Sequence, residues 1–184
     1  MQKIFSLLFG VLMLPQLAMA VGVHQHGVAQ LDVVLEPPML TLALHSPLAN
    51  FIGFEYKPVS AEEQARWTEL QEQMLQARLQ VELPTSAGCS LDKVVLSDPF
   101  VEYFDDHDHD HDHDHDHDHD HDHDHSELTV EYQYNCTQPQ QLKQVQLPLL
   151  QNYPGIEKLE VRMLSPAGQH LQSLGGQEHR LTLP

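Results

Sequence analysis

Residues 106–125 alternate Asp and His without a break, and this tract constrains everything the rest of the chain can do. It contains ten histidines: His107, His109, His111, His113, His115, His117, His119, His121, His123 and His125. It contains no apolar side chain. A segment that buries nothing cannot offset the entropy of its own ordering. The fold must therefore be built from the sequence on either side, with residues 105–126 as a disordered loop inside a single domain, residues 21–184. The chemistry open to the tract is metal ligation. Neutral imidazole suits zinc, copper and nickel, and the interleaved carboxylates can act as oxygen ligands or orient the rings. Many different sets of three or four ligands can gather around one ion, so several exchangeable sites are expected rather than one rigid site. Because a ligating imidazole must be neutral and free His titrates near ~6.5, capture by the tract should weaken as pH falls.

The charge follows the same division. The formal net charge is −18, and 11 of the 27 acidic residues lie in residues 105–124. The remainder carries 16 acids against nine bases, a net of −7. Such a surface repels nucleic acid and anionic lipid and concentrates cations.

The N-terminus has the form of an export signal, residues 1–20. Lys3 precedes an apolar run over residues 4–14, Pro15 interrupts it, and Ala18-Met19-Ala20 is a small-x-small cleavage site. The run is too short to span a bilayer comfortably. The exported protein is expected to be soluble and to begin near Val21. In an exported chain the two cysteines, Cys89 and Cys136, read as a disulfide, the alternative being two buried thiols.

Around the tract the pattern is α+β, with an antiparallel sheet built from hairpins and one main helix packed on it. Leu31, Val33 and Leu35 alternate with polar residues, Pro37-Pro38 turns the chain, and Leu40, Leu42 and Leu44 alternate again. Symmetric pairing about the turn sets Leu35 opposite Leu40, Val33 opposite Leu42 and Leu31 opposite Leu44. Phe51, Ile52, Phe54 and Tyr56 form an apolar connection. Ser60 and Glu63 fit a capping box, and Trp67, Leu70, Met74, Ala77 and Val81 follow at helical spacing. Strand-like sequence over residues 91–103, broken at Asp98-Pro99, and the strict alternation over residues 128–136 flank the tract. They read as a hairpin with the tract at its tip and the two cysteines at its base, with a bulge near Pro99 to absorb the register. A strand near residues 143–147, a helical turn stopped by Pro154-Gly155, a strand carrying Leu159, Val161 and Met163, and a final edge strand at Leu181 and Leu183 complete the reading.

Outside the tract, His24 and His26 are the second metal feature. In an extended segment, side chains at i and i+2 share a face, so two imidazoles can chelate one ion. Further ligands are sought at His45, on the polar face of its strand, at Glu55, or in the tract. His170 and His179 fall in a Gly-rich polar tail and read as solvated. Nothing points to an enzyme. Gly-x-Ser-x-Gly and His-Glu-x-x-His are absent, the cysteines are committed to a bridge, and the chain is far shorter than the ~250-residue barrels that carry His-x-His in metal-dependent hydrolases.

Five blocks stand out: His24-Gln25-His26-Gly27-Val28-Ala29, Ser46-Pro47-Leu48-Ala49-Asn50 with Gly53-Phe54-Glu55, Cys89 with the His/Asp tract and Glu131-Tyr132-Gln133-Tyr134-Asn135-Cys136, Tyr153-Pro154-Gly155-Ile156-Glu157, and Ser165-Pro166-Ala167-Gly168. Together they resemble the ZrgA-type periplasmic zinc-uptake family. The residue after Glu55, commonly His in the family, is Tyr56 here. The resemblance implies a soluble periplasmic protein that binds zinc, or another divalent transition metal, and works with a zinc importer in the inner membrane. The alternative is a periplasmic buffer or sensor that protects against excess zinc, copper or nickel.

Overall fold

A computed structural model describes residues 25–101, 126–175 and 178–184. The expected export signal, His24 and the His/Asp tract lie outside the described residues, and so do the expectations that rest on them.

A six-stranded sheet forms the body. Its strands are β1 (Val28–Glu36), β2 (Met39–Pro47), β3 (Cys89–Ser97), β4 (Glu127–Cys136), β6 (Lys158–Ser165) and β7 (Gly168–Gly175), in the order β3-β4-β2-β1-β6-β7. A separate two-stranded sheet pairs β5 (Gln144–Gln146) with β8 (Arg180–Thr182). Among the described residues three α-helices join them: α1 (Ala49–Ile52), α2 (Ala61–Met74) and α3 (Leu149–Asn152).

The period-2 pattern does what it should. Ala29, Leu31, Val33 and Leu35 of β1 are buried, as are Leu40, Leu42 and Leu44 of β2 and Leu128, Val130, Tyr132 and Tyr134 of β4. The alternate residues, most of them polar, form the open face and are partly or fully exposed. Trp67, Leu70 and Met74 of α2, Leu149 of α3, Val145 of β5 and Leu181 of β8 close the same core cluster over the buried face. Truncating a fully buried residue here, such as Leu42→Ala, should cost about 2–5 kcal/mol. The hairpin register is the expected one: Leu35 opposes Leu40, Val33 opposes Leu42 and Leu31 opposes Leu44.

Four features differ from the sequence reading. First, the sheet is mixed, not purely antiparallel, because β1 and β6 run parallel. The chain enters β6 beside the start of β1, where Glu157 N–H and Lys158 N–H both donate to the Gly27 carbonyl. Second, α2 ends at Met74 instead of running on to Val81. The carbonyls that would continue it are taken: Tyr132 Oη donates to Met74 O at 2.9 Å, and Gln80 Nε2 donates to Gln73 O at 3.0 Å. A 3-10 turn over Ala77–Leu79 follows, and Ala77 and Val81 still reach the core. Third, the register shift between β3 and β4 lies between Leu91 and Lys93, not near Pro99. Fourth, the polar tail contains β7, a full edge strand of the main sheet, and β8 pairs with β5 instead of extending the main sheet.

Ser60 and Glu63 form the full capping box that starts α2. Cys89 and Cys136 are direct cross-strand partners and are joined by a disulfide.

Candidate metal centre

The topology gathers potential ligands at one end of the main sheet. β1 and β6 begin there, β2 and β3 end there, and β4 begins there. Both roots of the His/Asp tract belong to this end and both are held. On the N-terminal side, Asp98 Oδ1 accepts from Phe100 N–H at 2.9 Å, and the Phe100 ring meets Trp67 edge-on at 5.4 Å. On the C-terminal side, Ser126 N–H donates to Glu55 O at 3.3 Å and Ser126 O accepts from Leu48 N–H at 3.0 Å. The residue that follows the tract is thus bonded directly to the main chain of Glu55.

His26 sits in a turn, not in an extended run. Val28 N–H donates to Gln25 O at 3.1 Å, and Gly27 adopts φ +79°, the left-handed conformation that glycine takes without strain. The Glu157 carboxylate occupies the space where a side chain at Gly27 would go. Glu55 reaches the site from α1, whose C-cap Gly53 is also left-handed, at φ 84°. His26 Nε2 lies 3.1 Å from Glu55 Oε1. The imidazole is 69% exposed, whereas the carboxylate is only 10% exposed. Two ligands sharing a tetrahedral zinc at ~2.0–2.1 Å each lie about 3.3 Å apart, so this pair already stands near the separation an ion needs.

A second His–carboxylate pair stands on the open face. His45 Nδ1 lies 3.4 Å from Glu127 Oε1 and 3.3 Å from Thr129 Oγ1. This pair is looser: the side chains are 32% and 40% exposed. Glu127 follows Ser126, so the two pairs adjoin through the backbone at the tract's root.

Of the residues singled out from the sequence, His26 and Glu55 are therefore brought together, and His45 stands nearby with Glu127. His170 lies on the core side of β7 opposite Met163, and the carbonyl of His179 accepts from Leu147 N–H at 2.8 Å. Among the described residues no group of three or more His, Cys, Asp or Glu side chains is placed to hold a metal ion. Glu127 and Asn50 were not singled out. Glu127 could have been, as the first acidic residue of the strand that follows the tract. Asn50 could have been, as the polar member of an otherwise apolar block, Leu48, Phe51 and Ile52.

Among the described residues no helix is long and apolar enough to cross a membrane. A search of curated proteins finds no match. The family described as "ZrgA family zinc uptake protein" matches residues 23–183, a span that takes in the His26 turn, the Glu55 arm, the disulfide and both tract roots. The chain belongs to the ZrgA family of zinc uptake proteins.

Proposed function

We propose that this chain is a soluble periplasmic zinc-binding protein that captures zinc with its His/Asp tract and supports zinc import. In this reading His107 through His125 form the capture segment. His24, His26 and Glu55 form a more ordered site, with His45 and Glu127 as an accessory pair. The observation that carries it is the placement of the His26–Glu55 pair at the root of the tract, bonded to it through Ser126. An ion taken up anywhere along the tract stays tethered to that end of the sheet. Transfer to the ordered site is then intramolecular and gains from high effective concentration. The exposed imidazole can exchange its ion with a partner, and the largely buried carboxylate keeps its negative charge close to the ion. Family membership supports a part in zinc uptake and supports no catalytic role. The cargo would pass to a zinc importer of the inner membrane or its binding component.

The capacity of ten histidines also suits a buffer against excess metal, and growth distinguishes the two. A deletion strain that grows poorly under zinc chelation supports uptake; one that is sensitive only to added metal supports buffering. Metal analysis of untagged protein from periplasm should find zinc, and the export signal should be absent from its mass. Deletion of residues 106–125 should remove most zinc equivalents and leave the metal-free melting temperature nearly unchanged. Protein that carries no zinc, or that keeps every equivalent without the tract, would sink the proposal.

A further inference from the structure

An exposed side chain is positioned by its backbone, since little packs against it. His26 is such a side chain, and one residue grips the turn that carries it. Asn50, in α1, is 6% exposed and uses both ends of its amide. Its Oδ1 accepts from Gly27 N–H at 2.8 Å. Its Nδ2 donates to Val28 O at 3.1 Å and to Ser46 Oγ at 2.9 Å. Both amide hydrogens and the carbonyl are thus engaged, a set that among side chains only the amides of Asn and the longer Gln offer. Gly27 is held from the other side as well, its carbonyl accepting from Glu157 and Lys158. α1 cannot withdraw, and neither can it be pushed: the main chain of Asn50 lies against Gly155, where any Cβ would run into the Asn50 carbonyl. Five residues beyond Asn50, past the Gly53 cap, the same arm presents Glu55.

We infer that Asn50 is the positioning residue that sets the spacing between His26 and Glu55 for zinc. The inference rests on the proposed metal role of that pair. Asn50 touches no ion. It fixes the His26 turn to the arm that carries Glu55, so that two groups far apart in the chain meet at 3.1 Å. Outer partners that orient metal ligands typically change affinity 10–100-fold when replaced.

The test uses the full chain and follows His26 itself by imidazole NMR, with its resonances assigned by loss in His26→Gln. Zinc is added against a competing chelator. Asn50→Asp keeps the size and Oδ1 but loses both donors and sets a carboxylate oxygen against the Val28 carbonyl. It should raise the free zinc at half-saturation of His26 at least tenfold and leave the response of the tract histidines unchanged. Ser46→Ala removes one of the three partners and should shift His26 in the same direction by a smaller factor. If Asn50→Asp does not fold, Ser46→Ala carries the test alone. An unchanged His26 midpoint in the folded variants overturns the inference, as does an equal shift of His26 and the tract. A wild-type His26 that ignores zinc has a different signature and sinks the ordered site together with it.

Discussion

The two ends of the main sheet are secured by different means. At one end the β1–β2 turn runs through a cis Pro37–Pro38 peptide, Cys136 N–H donates to Pro38 O at 2.9 Å, and the disulfide binds β3 to β4. At the other end the closure is made of hydrogen bonds: Asn50 on Gly27, Val28 and Ser46, and Ser126 on Glu55 and Leu48. The first end is closed covalently, and neither of its sulfurs is left to bind metal, since both are in the bridge. The second carries two His–carboxylate pairs and the roots of the tract. The comparison teaches a division of labour: the strands are locked together away from the two His–carboxylate pairs, so ion exchange at the proposed site would leave the sheet intact.

The strongest test of that division is to unlock the first end. The bridge joins residues 47 apart in sequence, and by the chain-entropy model its loss through Cys89→Ser with Cys136→Ser should cost up to about 4 kcal/mol. Denaturant unfolding would read this, and zinc equivalents of the folded variant should not change. Loss of zinc along with stability would show that the two ends are coupled. Next in size, zinc at 100 times the dissociation constant of the ordered site should stabilise the chain by about 2.7 kcal/mol. His26→Ala and Glu55→Gln should each remove most of that gain, as read by the shift in thermal midpoint with added zinc.

Ser60→Ala tests an element that belongs to neither end. Loss of the α2 cap should cost about 1 kcal/mol with no change in zinc binding. A related effect depends on pH. The hydrogen bond from Tyr56, followed by those from the Ser60 and Val59 main chain, lowers the Glu63 carboxyl from 4.5 to about 2. A lowered folded-state pKa means its contribution is complete above pH 4.5 and is lost as pH falls towards about 2. The stability difference between wild type and Glu63→Gln should therefore shrink across that window and be flat above it, in parallel unfolding titrations. The smallest expected effect is that of His26→Ala on metal-free protein: with an exposed ring it should change stability by no more than about 0.5 kcal/mol. A larger loss would mean that the ligand end also holds the fold.

Of the candidate site, His26, His45 and Glu55 were legible as candidates because metal chemistry restricts ligands to a few residue types. Asn50 was legible only as a polar residue in an apolar block, because neither its type nor its spacing announces that its amide closes a turn 22 residues away in sequence. Much of the fold was legible for a related reason. A period-2 pattern states which residues face the core, and a two-proline turn between two such runs leaves one register that buries both sets. The capping box lies within four residues, and the cysteines fall at the ends of strands that flank the tract. These are local facts, and the sequence by itself determined them. What the pattern cannot state is which strand lies beside which. The parallel pairing of β1 with β6 depends on the Gly27 carbonyl accepting from residues 130 and 131 positions later. The end of α2 depends on a tyrosine hydroxyl 58 residues away, which takes the Met74 carbonyl that a longer helix would have used. β7 has one buried leucine and an exposed one, Leu171, so its alternation was too weak to distinguish from a tail. Its place at the sheet edge is decided by the free backbone groups of β6. Tertiary structure decided these features because each is a competition for a hydrogen-bonding group, and the winner comes from far along the chain.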